Sequence, residues 1–287
     1  MSNIDVLVPI DFERSIFQLL WHMRRISRET SEAGLRIVFS INNRGLIPIT
    51  AIRRFVNSEN AVFVEEKYTG NVNRSRLRNR GLKACGEKVF LSDVDITYEK
   101  TLLDWIKQQS NREFLMIPCL YQAKYSKNID LRIATLRQLR RNFSHIAIPS
   151  SLILINNGVT EFDENFIGHG YEDFDFIIQY LLKSGLIRKD EITIKNDIYE
   201  SFLQVDGLRL VLSRFAIDAI KDGRFAKHIH HKRGNLKKYK TERSNNLKYF
   251  QRKYDSFSDE ALKKGPYELL IDKAIDIGKF PGKLLLI

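Results

Sequence analysis

Cysteine is nearly absent from this chain of 287 residues. Cys85 and Cys119 are the only two, and they match no spaced metal-ligand motif. A cysteine metal site is thereby excluded, and a reducing compartment is expected. The chain also lacks any apolar run near the roughly 20 residues needed to span a membrane. It shows no signal peptide, because the N-terminus passes within a few residues into a strand-like run. A cytoplasmic protein is expected. No internal repeat, low-complexity segment or clear linker interrupts the pattern. One domain with a C-terminal extension follows from that. Acidic residues are the minority, 35 against 47 Lys and Arg, for a net charge of +12. Such a balance implies an anionic partner, whether nucleotide phosphates, nucleic acid or an anionic membrane face, and does not choose among them. With 43% apolar residues the chain can bury a sizeable core.

What is present alternates. Ile4 to Ile10 reads as a strand, and apolar residues at helical spacing make a helix of roughly Ser15 to Thr30. Gly34 breaks it before a second strand, Leu35 to Ile41. A helix over Ile49 to Asn57 and a third strand, Ala61 to Glu65, follow. This order implies right-handed βαβ units and a mainly parallel sheet flanked by helices, an α/β fold. Further on, a helix is expected over Tyr98 to Gln109 and a strand over Phe114 to Leu120. Tyr121 to Asn128 reads as a mobile polar loop, Asp130 to Phe143 as a basic helix, and Phe176 to Leu182 as an apolar helix. The tail Lys283-Leu284-Leu285-Leu286-Ile287 is expected to pack on the domain or a partner.

Four clusters carry the chemistry. Val89 to Asp95 reads as a buried strand ending on two carboxylates. In an extended chain residues i and i+2 share a face, so Asp93 and Asp95 point together beyond the strand's carboxyl end. Two hard oxygen ligands there suit Mn²⁺ or Mg²⁺. A polar strand end with an aspartate capping the next helix is the plainer alternative. Gly70 to Gly81 turns into a helix with four arginines in seven residues. Arg74 or Arg76 could meet phosphate there, or the run is a solvated basic face. Phe166 to Asp175 sets two glycines, Gly168 and Gly170, and Tyr171 before three carboxylates. The helix dipole accounts for the carboxylates but not for glycines that let another group approach the backbone. His228, His230 and His231 form either a surface patch or part of a metal site.

The order Asn73-Arg74-Ser75-Arg76-Leu77, Phe90-Leu91-Ser92-Asp93-Val94-Asp95, Gly170-Tyr171-Glu172-Asp173-Phe174-Asp175 and His228-Ile229-His230-His231 resembles the GT-A glycosyltransferases. Within them it is similar to the galactosyltransferase-like and chondroitin-polymerase-like enzymes, including bacterial capsule transferases. The resemblance spans roughly residues 4 to 234. It implies a Rossmann-like GT-A domain over 1–234, with a nucleotide-sugar half to about 125 and an acceptor half from about 126. Residues 235–287 are then a basic, partly helical extension.

By this resemblance, Asp95 is the metal ligand, joined by His231 and by His228, with His230 as a substitute if the register differs. Asp93 and Val94 face the sugar nucleotide. Asn73 and Arg74 reach it too, and Pro9, Ile10 and Arg14 cradle the base. Asp173 is implied as general base with Glu172 beside it, and Gly170, Tyr171 and Asp175 as acceptor contacts. The family has tryptophan, then two glycines, before these acids. Here His169, Gly170 and Tyr171 stand there. The implied activity is inverting, Mn²⁺- or Mg²⁺-dependent transfer from a nucleotide-sugar, a UDP-sugar above all, to a glycan or lipid-linked glycan in capsule or lipopolysaccharide synthesis. The basic surface would hold the enzyme at the inner face of an anionic membrane. Two rivals remain. One is a metal-dependent nucleic-acid enzyme or nucleotidyltransferase, which leaves Gly170 to Asp173 unexplained. The other is a non-catalytic glycan-assembly subunit.

Overall fold

Strand β1, Ile4–Asp11, is the centre of the main sheet. It pairs in parallel with β2, Arg36–Asn42, and with β4, Lys88–Leu91; β2 pairs in parallel with β3, Ala61–Glu66. One strand then runs the other way. β9, Ile153–Asn156, is antiparallel to β4 and to β6, Phe114–Met116. The order is β3-β2-β1-β4-β9-β6. This computed structural model describes residues 4–13, 15–122, 143–147, 150–192, 208–230 and 236–254.

Alternation along the strands divides the interior in two. Val6, Val8 and Ile10 of β1 fall in one core cluster, and Leu7 between them in the other. The first cluster is covered by α1 (Ile16–Glu32), α2 (Ile49–Val56) and α4 (Lys100–Gln108). The second is covered by α3 (Arg74–Leu82) and α5 (Glu172–Lys183), with α6 (Leu208–Ser213), α7 (Ile217–Lys221) and α8 (Leu236–Lys253) beyond them. Because helices cover both faces, the strands are buried on both sides and read as continuous apolar runs. Gly81 lets α3 lie directly on β1: a methyl there would collide with Leu7.

A second, smaller sheet has the order β5-β10-β7-β8. It joins β5 (Ile96–Thr97), β7 (Cys119–Gln122), β8 (Phe143–Ala147) and β10 (Ala226–His228). The single strand expected over Phe114 to Leu120 is thus two strands in two sheets. Pro118 has no N–H to donate to a ladder, and the chain changes sheets there. Its carbonyl accepts from Ala226 N at 3.0 Å, and Ile117 N still donates to Leu152 O at 2.8 Å.

The part of the expected extension that is described does not stand apart. Phe250 of α8 and the adjoining Tyr254 are 1% and 2% exposed and belong to the second core cluster. The expected basic helix, most of the 121–128 loop and the apolar tail lie outside the described residues.

Candidate functional site

The carboxyl ends of β1 and β4 meet the start of α3, and the site is built there. Strand β4 stops at Leu91, short of the expected Asp95, and Asp93, Val94 and Asp95 form the connection into β5. The two aspartates therefore do not share a strand face. Asp95 is buried and Asp93 is a quarter exposed, and they serve different neighbours.

Asp95 and His228 are joined by the small sheet. His228 is in register with Ile96 on one side and with Tyr121 on the other. Ile229 N donates to Asp95 O at 2.8 Å. This ladder sets His228 Nε2 3.5 Å from Asp95 Oδ2. The Tyr121 ring stacks on the imidazole, with centroids 4.3 Å apart and planes 15° apart. Two ligands of one cation bound at roughly 2.0–2.2 Å stand about 3 Å or more apart, so the pair fits the edge of such a site. Among the described residues no cluster of three such side chains forms. His231 lies outside the described residues, and His230 is exposed.

A small open cleft lies beside this pair. Pro9, Ile10 and Asp11 form one wall, Arg74 and Leu77 of α3 another, and Asp93, Val94, Asp95 and His169 close it. Arg14 lies outside the described residues. Burial works against the charge on Arg74, but Asp93, Glu172, Asp173 and Asp95 more than offset this and raise its pKa. Asn73 does not line the cleft. Its Oδ1 caps α3 by accepting from Arg76 N at 2.9 Å, and its Nδ2 donates to Glu164 O at 2.8 Å. Arg76 is directed elsewhere as well, with its Nη2 on Glu66 Oε1 at 2.5 Å and its guanidinium over the Tyr68 ring.

A second cleft is also bordered by Asp93. Asp173, Gly170 and Tyr171 line it with Tyr121, Ser150, Ser151 and Arg243. Ser151 Oγ donates to Asp93 Oδ2 at 3.2 Å. Tyr171, the residue before α5, has φ +70°. That left-handed conformation is strained for a bulky residue and marks a turn held by its surroundings. Glu172 is 2% exposed and its Oε2 has no hydrogen-bond partner among the described residues.

Arg78 ties these acids together, and the sequence reasoning missed it. Its guanidinium is 2% exposed and lies 2.6 Å from Asp173, 3.4 Å from Asp93 and 3.5 Å from Glu172. The ring of Phe162 faces it with its centroid 5.1 Å away. Burial pushes the Asp173 carboxyl up to about 7; Arg78 and Arg74 oppose this, and Glu172 and Asp93 reinforce it. Asp175, expected to contact an acceptor, is 1% exposed and faces α8 instead. It accepts from Tyr254 Oη at 2.6 Å and pairs with Lys253 at 2.8 Å. Asp11 was also missed. It ends β1, where open sheets hold ligands, and accepts from Arg44 Nε at 2.6 Å and Tyr68 Oη at 3.0 Å.

The glycines are explained by α8. A side chain at Gly168 (φ +86°) would meet Glu242 Cδ at 2.5 Å, and one at Gly170 (φ +95°) would meet Arg243 Cγ at 3.2 Å. Asn246 Nδ2 donates to His169 O at 3.3 Å, fastening the helix to the same turn.

Residues 38–257 match the model of the glycosyltransferase-like family 2. The chain belongs to that family, and its fold is that of a GT-A glycosyltransferase. No curated protein matches it. Among solved structures it is similar to residues 1–349 of S. aureus TarS, at 17% identity over 63% of this chain, with a TM-score of 0.39. The chain spans 56% of that structure's length. It is also similar to glucosyl-3-phosphoglycerate synthase from Mycobacterium tuberculosis, solved with Mn²⁺, UDP and glucosyl-3-phosphoglycerate. There the identity is 11% over 90% of this chain and 81% of the other, and the TM-score is 0.49.

Proposed function

We propose that this protein transfers a sugar from a nucleotide-sugar, a UDP-sugar above all, to a glycan or lipid-linked glycan with inversion at the anomeric carbon. The observation that carries the reading is the position of Asp93, which lines both clefts. The donor occupies the cleft of Pro9, Asp11 and Arg74, and the acceptor that of Asp173 and Tyr171. Their reacting atoms meet at Asp93.

The acceptor hydroxyl gives its proton to the Asp173 carboxylate as its oxygen bonds to the anomeric carbon. The bond from that carbon to the diphosphate oxygen breaks on the opposite side, and the nucleoside diphosphate leaves. One displacement of this kind inverts the centre. A base with a pKa near 7 is well matched to the task, and such help is typically worth about 10²–10⁴-fold. Arg74 lies where the diphosphate's growing charge is met, and Arg78 holds Asp173 in place. Asp95 and His228 would hold Mn²⁺ or Mg²⁺, which when bound would neutralise charge on the leaving group.

Synthesis of a bacterial surface polysaccharide, capsule or lipopolysaccharide, is the setting this reading gives the enzyme. No described helix is long and apolar enough to cross a membrane. Contact with the inner face of an anionic membrane is instead assigned to α1, where Phe17 and Trp21 are 79% and 66% exposed near Arg24 and Arg28. Liposome binding that weakens as salt rises supports this, and indifference to both salt and anionic lipid overturns it.

A thermal-shift series of nucleotide-sugars, with and without Mn²⁺, tests the activity. A UDP-sugar is expected to raise the unfolding temperature more with the metal, and product NMR to show the inverted anomer. A retained anomer, or no stabilisation by any nucleotide-sugar, sinks the reading.

A further inference from the structure

Arg243 enters the acceptor cleft from α8, a helix outside every motif singled out in the sequence. Its guanidinium lies over the Tyr171 ring, 5.2 Å from the centroid. Its Nη1 reaches Tyr239 Oη at 3.4 Å, the long limit of a hydrogen bond. No described carboxylate pairs with it. Several other partly buried arginines differ: Arg25, Arg44, Arg76 and Arg214 each hold an acidic side chain. A desolvated cation without a counter-ion is costly, and an aromatic face recovers only part of that cost. Of the five N–H donors of an arginine, only the one toward Tyr239 is engaged among the described hydrogen bonds. The guanidinium is a planar fork suited to two oxygens of a carboxylate or phosphate.

The acids of the same cleft are already held. Asp93 and Asp173 lie against Arg78. Their charge would repel an anion placed beside the reacting hydroxyl. An anion at Arg243 would meet a cation that no described carboxylate neutralises, and the stem of Arg243 packs against Gly170.

We propose that Arg243 sets acceptor specificity in this cleft, and that the acceptor carries a carboxylate or phosphate which Arg243 grips while a separate hydroxyl faces Asp173. This rests on the reading that the cleft receives the acceptor.

The full chain is saturated with UDP and Mn²⁺ in 0.15 M salt, which screens the general attraction of a basic surface beyond about 8 Å. Dissociation constants are measured by saturation-transfer NMR for methyl β-glucuronide, glucose 6-phosphate and the neutral methyl β-glucoside. At least one charged probe should bind tenfold or more tightly than the neutral one. Which charged probe leads separates an acidic sugar from a phosphorylated acceptor. Arg243→Met should erase the difference. Arg243→Lys, which keeps stem and charge but loses the fork, should retain part of it, and it serves as the test if the methionine variant does not fold. Equal binding of all three probes overturns the proposal, as do no detectable binding of either charged probe and a preference that survives in Arg243→Met. If UDP itself fails to stabilise the wild-type chain, the transferase reading falls first and this inference with it. If UDP stabilises and the charged probes gain nothing, this inference falls alone.

Discussion

Arg78 Nη1 lies 2.6 Å from an Asp173 oxygen, yet burial leaves the Asp173 carboxyl near 7, well above the usual carboxylate range. As a base, Asp173 works only when ionised. The value of kcat/KM should therefore climb through about pH 7 and fall about tenfold per pH unit below it. Asp173→Asn should cost at least about 100-fold in transfer and remove that limb of the profile, while UDP binding persists. Stability moves the opposite way. A carboxyl whose pKa is raised on folding stabilises the fold below its unfolded value near 3.9, and that contribution is lost as pH rises through 7. Asp173→Asn should thus unfold at a higher temperature than wild type at pH 8, with the advantage fading toward pH 4. An unchanged pH profile would remove Asp173 from the reaction.

Arg78→Met tests the hub itself. Arg78 and Glu172 are both 2% exposed, so removing the cation strands a buried carboxylate as well as freeing Asp93 and Asp173. Breaking a buried pair from one side typically costs about 3–5 kcal/mol. A fall of that size in unfolding free energy, read from the denaturant midpoint at pH 8, is expected. It should shrink at pH 5, where Asp173 is already protonated. A midpoint that moves by less than about 0.5 kcal/mol at pH 8 would show that the three acids do not need Arg78.

Most of the sheet was legible because fully buried strands leave continuous apolar runs bounded by turns. The alternation of β1 between two cores shows why those runs have no polar face. Legibility failed where one backbone feature outweighs local pattern, as at Pro118, which sends an apolar run into a second sheet. On α3, spacing held more than was taken from it. Arg74 and Arg78 are four apart and face the acids, while Arg76 and Arg80 are four apart and face Glu66. A charge run with two faces reads as a solvated stripe until something says which face is covered. Asp175 shows the converse: an acid within a functional motif, bound to Lys253 and Tyr254. Its partners lie 78 and 79 residues away, and no local signal points to them. The role of α8 was hidden for the same reason, since its contacts with Gly168 and Gly170 are long-range.

Gly168→Ala measures how closely α8 is seated on the turn. The φ of +86° costs an L-residue about 1–2 kcal/mol, and the new methyl would press on Glu242, which is itself 9% exposed. The single variant should be destabilised by more than the backbone term alone. Pairing it with Glu242→Ala should return the steric part and leave the conformational part, so the double variant loses less than the sum of the singles. Strict additivity would mean that the helix and the turn do not press on each other.

Asp95→Ala and His228→Ala separate a metal seat from a polar contact. His228 Nε2 lies 3.5 Å from Asp95 Oδ2, a spacing that serves either a shared cation or a simple ion pair. The two cases differ in how they respond to Mn²⁺. If a cation is shared, the extra stabilisation that UDP gains from Mn²⁺ should vanish in Asp95→Ala. In His228→Ala the Mn²⁺ midpoint should rise by roughly tenfold or more. The UDP shift measured in EDTA should stay close to wild type in both variants, because Pro9, Asp11 and Arg74 still line the donor cleft. If only an ion pair exists, both variants should lose stability without metal and keep the wild-type response to it. Tyr121→Leu adds a graded control. Its ring stacks on His228 without offering a ligand, so its loss should shift the Mn²⁺ midpoint less than removal of the imidazole does.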